Sequence, residues 1–265
     1  MTESRARRVA IIPARYGSRR FPGKPLAEIA GKPLVQHVLE RVQAAGVFDD
    51  LCVATDDERI ASAVRRAGGT ARLTSADHRS GTERVAEVAA RLPEDTIVFN
   101  VQGDEPLLPA ALLRELVRFV EDDPGVEFAT AAHLAGDERG FHSPHVVKVA
   151  LDARGRALYF SRAPIPYDEE GSAHYMRHVG IYAFRRRTLS RFVALPPSLL
   201  ERREGLEQLR ALENGIPIHV MVTQHESVGV DTPEDLKAVA MRLDRLLESP
   251  ETEPRSRSAP HSRAR

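Results

Sequence analysis

The sequence predicts an α/β fold, a mostly parallel sheet wrapped by helices, with a partly antiparallel insertion in its second half. Two observations carry this expectation. Short apolar runs alternate with amphipathic stretches up to about residue 133, and beyond it strand-like runs follow one another with only turns between them. The first-half strands are expected at 9–13, 51–55, 70–73, 97–101 and 128–132, and helices at 34–45, 58–67, 83–91 and 111–120. Thr55-Asp-Asp-Glu58 and Ser80-Gly-Thr-Glu83 each set a hydroxyl residue three positions before a glutamate, the capping-box pattern that opens a helix. Strands at 146–151, 157–161 and 179–184 then make up the insertion. A helix at 199–212, a strand at 218–222 and a closing helix at 233–247 complete the chain.

With 265 residues, the chain can bury a substantial core. No composition break forces a division, so one domain is expected over 7–247, with the insertion at about 140–185. The 38 basic and 38 acidic side chains cancel, so no overall field points to nucleic acid or a membrane surface. Cys52 is the single cysteine and sits in an expected buried strand, where it reads as a small core residue. One thiol, no signal-peptide pattern and no long apolar span suggest a reducing cytoplasm. Residues 248–265 are rich in Ser, Pro and Arg without apolar periodicity and are expected to be disordered, and the first six residues loose.

The chemistry concentrates in three places. Directly after the first expected strand, Arg15-Tyr-Gly-Ser-Arg-Arg20-Phe-Pro-Gly-Lys24 gathers four cations and two glycines. In an open α/β sheet this is the carboxyl edge, where ligands bind, and several cations beside flexible backbone suit a polyphosphate. The loop is not a P-loop, because five residues separate Gly17 from Gly23 and Pro25 follows the lysine. The second place is Asn100-Val-Gln102-Gly-Asp104-Glu105, where a buried strand ends in carboxylates at the same edge. Such oxygens suit Mg²⁺ shared with phosphate, although Asp104 and Glu105 could instead cap the following helix. The third is Asp231. Thr232, Pro233 and Asp235 already satisfy the start of the closing helix, which leaves the Asp231 carboxylate available to the cleft or to a turn.

The ordered blocks PARYGSRRFPGKPL, ATDD, SGTER, NVQGDEP, YFSRAPIP, RHVGIYAFR, LEQLR and GVDTPEDL resemble the 3-deoxy-D-manno-octulosonate cytidylyltransferase (CMP-Kdo synthetase) family, from about residue 9 to 246. The resemblance implies a Rossmann-like sheet of the nucleotide-diphospho-sugar transferase type. It also implies transfer of CMP from CTP to Kdo, with release of pyrophosphate, for lipopolysaccharide biosynthesis. It gives Arg15, Arg20 and Lys24 to the triphosphate, and Thr74, Ser80, Gly81 and Arg84 to the nucleoside. Asp104 and Asp231 would hold Mg²⁺, with Arg15, Lys24 and Asp104 the catalytic group. Gln102, Arg162, His178, Tyr182, Glu207 and Gln208 would meet the sugar acid. A homodimer built on the insertion is implied as well.

Each sugar-site residue also has a plain reading. His178 can be a hydrogen-bonded structural residue, Arg162 can hold a local acid, and Glu207 and Gln208, off the apolar stripe of their expected helix, can face solvent. On an extended strand, residues 178, 180 and 182 share one face. Two departures from the family pattern stand out. Arg19 occupies a position where the family commonly has Thr, and the stretch 168–176 is shorter than in some members. The competing readings are a nucleotidyltransferase for another base or acceptor, a glycosyltransferase, and a nucleotide-binding protein without turnover.

Overall fold

The computed structural model describes residues 5–17, 21–169, 171–230 and 232–248. Arg19 and Arg20, Asp231 and the segment 249–265 therefore lie outside the described residues.

The first half alternates as expected: β1 (Arg8–Ala14), a short 3-10 turn (Lys24–Leu26), the small ribbon β2 (Glu28–Ile29) and β3 (Lys32–Pro33), then α1 (Leu34–Ala45). There follow β4 (Asp50–Thr55), α2 (Glu58–Arg66), β5 (Ala71–Leu73), α3 (Gly81–Ala89), β6 (Ile97–Val101), α4 (Ala110–Asp122) and β7 (Phe128–Ala135). The second half runs α5 (Glu138–His142), β8 (Lys148–Leu151), β9 (Ala157–Ser161), β10 (Tyr175–Arg185), α6 (Arg186–Val193), α7 (Leu199–Glu204), α8 (Leu209–Glu213), β11 (His219–Thr223) and α9 (Pro233–Glu248).

The main sheet has the order β11-β7-β10-β6-β1-β4-β5. β1 pairs in parallel with both β4 and β6, β4 with β5, and β7 with β11. Strand order reverses at β1, so the loops after β1 and β6 flank a topological switch point, the crevice where such sheets bind ligands. β10 lies inside the main sheet, antiparallel to β6 and β7, and also pairs with β8 of the β8–β9 hairpin. The antiparallel character of the second half therefore reaches the centre of the sheet.

Alternation along the strands divides the core between the two faces. Ala10, Ile12 and Ala14 of β1 pack with α1 and α4, whereas Val9 and Ile11 face α3, α6 and α8. A third cluster places Val239 and Leu243 of α9 on Val230, Ile29 and Leu34, which anchors the segment just before residue 231 beside the basic loop. Cys52 is buried, and burial raises its thiol pKa to about 11, as befits an inert core residue.

Three local expectations are corrected. The N-cap of α2 is Asp57 rather than Thr55; the Thr55 hydroxyl instead accepts from the Asp57 amide. Ser80 does cap α3 through the Glu83 amide, but Glu83 reaches back to the Arg79 amide instead of closing the box on Ser80. The helix expected at 199–212 is two helices, because Gly205 adopts a left-handed backbone (φ 64°) that ends α7. Thr232 and Asp235 meet the expectation for α9, each accepting from the other's amide.

Candidate active site

Arg15 projects exposed from the carboxyl end of β1. Beyond it the chain returns through Gly23, whose amide donates to the Tyr16 carbonyl at 2.9 Å, and enters the 3-10 turn carrying Lys24. Pro25 preorganises that turn. Lys24 Nζ lies 2.7 Å from Asp104 Oδ2 and 2.7 Å from the Val230 carbonyl. The Val230 amide in turn donates to the Asp104 carbonyl at 2.8 Å. Lys24, Asp104 and the chain just before Asp231 thus meet at one point on the sheet edge, although they are 206 residues apart at the extremes.

Asp104 and Glu105 do not cap the following helix. The N-cap of α4 is Pro109, with no side-chain cap bond. What brings the β6 loop against β1 is Gly103: a Cβ there would stand 2.6 Å from the Pro13 carbonyl oxygen. Glu105 accepts from the Ser227 hydroxyl, and burial pushes its carboxyl up to about 7, against the pull of that hydrogen bond.

The nucleoside candidates form a tightly bonded loop. Thr74 donates to the Thr55 carbonyl at 3.1 Å and accepts from buried Arg84, whose other nitrogen pairs with Asp56 at 3.0 Å. In this arrangement Thr74 and Arg84 shape the loop ahead of Ser80 and Gly81 by bonding each other. Gly81 itself abuts the end of β1, 3.1 Å from Pro13 at its notional Cβ.

From α3 a buried polar chain runs towards the sugar-site candidates. Gln102 Nε2 donates to Asn100 Oδ1 at 3.1 Å, Asn100 Nδ2 donates to Thr82 Oγ1 at 3.0 Å, and Thr82 donates to Glu207. Burial raises the Glu207 pKa, while the Thr82 and Ser80 hydroxyls oppose the rise. Gln208 is 2 % exposed, and the Glu207 carboxylate has one oxygen on Thr82 and the other buried, so neither is a solvent-facing helix residue. They occupy the turn between α7 and α8, which swings them inward. Glu207 Oε2 and Gln208 Nε2 are buried there without a hydrogen-bond partner, two groups available to a polar ligand.

On β10 the expected shared face is present. His178 and Tyr182 rings lie 5.6 Å apart, and Phe160 meets the edge of His178 at 5.0 Å. The pairing with β7 slips by two residues between Val179 and Tyr182, which preserves the alternation. His178 Nε2 is 2.9 Å from the Thr130 hydroxyl, and the protein packed around the ring lowers its pKa to about 3. Arg162 is committed to backbone: Nε donates to the Glu204 carbonyl at 2.8 Å and Nη1 to the Pro144 carbonyl at 2.9 Å.

The structure thus joins Lys24 with Asp104, Thr74 with Arg84, and Gln102 with Glu207 through Asn100 and Thr82, with the Ser80 hydroxyl also acting on Glu207. Arg20 and Asp231 lie outside the described residues. Asn100, Thr82 and Glu204 went unnoticed in the sequence, where only the polar Asn100 inside an apolar strand run hints at a buried network.

The family model for cytidylyltransferases matches residues 9–222. The chain is 50 % identical over 246 residues to a 3-deoxy-manno-octulosonate cytidylyltransferase of Geobacter sulfurreducens, covering 88 % of this chain and 98 % of that protein. It is 52 % identical over 236 residues to the enzyme of the same name from Syntrophobacter fumaroxidans, covering 87 % and 94 %. The chain belongs to the 3-deoxy-manno-octulosonate cytidylyltransferase family. A solved structure of CMP:2-keto-3-deoxy-manno-octonic acid synthetase complexed with CTP superposes with a TM-score of 0.85 at 43 % identity, over 91 % of this chain and 99 % of that one. A 4-diphosphocytidyl-2C-methyl-D-erythritol synthase from Anaerococcus prevotii shares the fold, with a TM-score of 0.62 at 13 % identity. Among the described residues, no helix is long and apolar enough to cross a membrane.

No group of three or more His, Cys, Asp or Glu side chains is placed to hold a metal among the described residues. The Mg²⁺ expected from the sequence would not require one, since that ion takes one or two carboxylates and completes its shell with phosphate and water. The part-exposed Asp104 carboxylate, at the crevice mouth beside Lys24, is a donor of the right kind.

Proposed function

We propose that the chain transfers CMP from CTP to the anomeric hydroxyl of Kdo, releasing pyrophosphate and activating Kdo for lipopolysaccharide assembly. The observation that carries this reading is the meeting of Lys24, Asp104 and Val230 at the switch point, with the Gln102–Asn100–Thr82–Glu207 chain leading away to one side. A cation and a carboxylate in contact form a site that a phosphate–metal pair can enter, each charge exchanging one partner for another.

In this reading CTP lies over the end of β1. Arg15, Arg20 and Lys24 neutralise the triphosphate and the departing pyrophosphate, and the Thr74–Arg84 loop with Ser80 and Gly81 receives the nucleoside. Asp104 and Asp231 would hold Mg²⁺, which when bound draws charge from the phosphates and lowers the pKa of the acceptor hydroxyl. Gln102, Glu207 and Gln208 orient the acceptor's hydroxyls, His178 and Tyr182 wall the pocket, and Arg162 would meet the sugar carboxylate by exchanging its bond to the Pro144 carbonyl for one to the ligand. The hydroxyl then attacks the α-phosphorus in line with pyrophosphate. Catalysis rests on positioning and charge neutralisation, without a covalent enzyme intermediate. The protein acts as a homodimer, with the insertion at 140–185 as its contact surface.

Pyrophosphate release with CTP and Kdo, against a panel of other nucleotides and sugar acids, tests the reading. Preference for another base or acid, or tight CTP binding without turnover, would refute it. Light scattering tests the dimer, and a monomer at working concentration counts against it.

A further inference from the structure

Lys148 is fully buried, at 0 % exposure, yet it is not part of the site described above. Its ammonium has no carboxylate in direct hydrogen-bond contact among the described residues. It donates instead to three backbone carbonyls: Ser143 at 2.9 Å, Val146 at 2.8 Å and Arg162 at 2.6 Å. Three donors meet three acceptors drawn from two places: Ser143 and Val146 in the single turn between α5 and β8, whose ends are themselves joined by the Val146 amide on the Ser143 carbonyl, and Arg162 just past the end of β9. An ammonium buried this way is costly unless its bonds are complete, and burial lowers its pKa while the nearby Glu204 charge opposes the shift.

The carbonyls it gathers belong to the segments that carry the acceptor-side residues. Arg162 follows β9, and its own amide donates to Glu204 Oε2 at 2.9 Å, while Ser161 Oγ donates to Glu204 Oε1 at 2.7 Å. Glu204 ends α7 and leads through Gly205 directly into Glu207 and Gln208. On the other flank, Lys148 pairs with Arg177, and the Val147 carbonyl accepts from the His178 amide at 2.9 Å. The ammonium therefore fixes the 143–146 turn directly against the Arg162 backbone, and through that point it bears on two neighbours: His178, whose amide is held by Val147, and the 204–208 turn, whose Glu204 is held by Ser161 and Arg162.

We infer that Lys148 is a positioning residue for the sugar-acid acceptor: acting as an internal cation, it sets the backbone from which Arg162, His178, Glu207 and Gln208 reach the substrate, and it leaves the CTP half of the site untouched. The CTP half stands on β1, β4 and β6, and the bonds that hold Lys24, Asp104, Thr74 and Arg84 there do not pass through Lys148. This inference rests on the assignment of the acceptor side made above.

The test is Lys148→Met, which keeps the length and removes the three donors, with Lys148→Arg as the second variant should the first fail to melt cooperatively. The Kdo KM is expected to rise at least about tenfold, as befits a sub-ångström shift of contact groups, with the CTP KM within about twofold of the parent. Equal rises in both constants, or no rise in either, would overturn the inference. Hydrogen exchange reads the positioning whatever the acceptor is. Protection at the Arg162 and His178 amides should fall about tenfold or more relative to β1 and β6 amides. Unchanged protection there would also overturn it. A parent protein that releases no pyrophosphate from CTP and Kdo would refute the proposed reaction, and the exchange measurement would still decide the role of Lys148.

Discussion

Replacing Gly103 by Ala is expected to impair the enzyme out of proportion to its size. The added Cβ would lie 2.6 Å from the Pro13 carbonyl oxygen, a backbone atom at the end of β1. A carbon–oxygen contact needs roughly 3.3 Å, so the ends of β1 and β6 must part by about 0.7 Å. Overpacking of this kind costs about 1–3 kcal/mol, and each kcal/mol lowers Tm by roughly 2–4 °C in a chain this long. The catalytic cost should be larger. The two strand ends carry Arg15 on one side and Asp104 on the other, and misplacing reacting groups by about 1 Å can cost on the order of 100-fold. Gly229→Ala is the internal comparison, because its Cβ would meet only ordinary contacts, 3.7 Å from the Asp104 carbonyl and 3.9 Å from Glu105 Cγ. Steady-state pyrophosphate release and thermal melts on both variants make the test. If Gly103→Ala kept kcat within twofold of Gly229→Ala, the claim that strand-end spacing sets catalysis would be refuted.

Asp104→Asn is expected to lower kcat by about 100-fold or more while weakening CTP binding only modestly, measured by turnover and calorimetry; near-normal turnover would remove Asp104 from the metal and phosphate centre. Lys24→Ala should slow pyrophosphate release at saturating CTP, and an unchanged rate would exclude its role in neutralising the phosphates. Thr82→Val breaks the links to Asn100 and Glu207 and leaves buried polar atoms unpaired. It should cost about 1–3 kcal/mol in a denaturant melt and raise the Kdo KM, and unaltered values in both would show the chain to be incidental. His178 has its pKa lowered in the folded state to about 3 from 6.5, so between those values only the unfolded chain binds the proton. Stability contributed by this residue is intact above pH 6.5 and is lost as pH falls towards 3, with a limiting slope of about 1.4 kcal/mol per pH unit. His178→Gln should flatten that slope between pH 4.5 and 6.5, and identical slopes in parent and variant would contradict the burial assigned to the ring.

Much of the fold was legible because its signals are local. Apolar runs of strand length and amphipathic stretches of helix length recur at short range, and α1 and β6 fall where periodicity alone sets them. The Thr232–Asp235 cap was equally readable, since both partners lie within one turn. The 199–212 helix was misread because the apolar spacing continues across Gly205, while the left-handed backbone that interrupts it depends on one residue. Thr55 yields the cap for a related reason: Thr55, Asp56 and Asp57 stand side by side at one helix start, and only the backbone geometry chooses Asp57.

The order of motifs along the chain was enough to determine the family and the carboxyl-edge location of the basic loop. Those features are written in short, contiguous strings. Only the tertiary structure decided which of these residues meet. It paired Lys24 with Asp104, turned Glu207 and Gln208 inward, committed Arg84 to Asp56 and Thr74, and placed Lys148 beneath Arg162. The Lys24–Asp104 and Arg84–Asp56 contacts close long loops, and such partners are chosen by sheet order, strand register and burial acting together. A side chain's nearest neighbour in space is then set by packing, which no local pattern along the chain encodes.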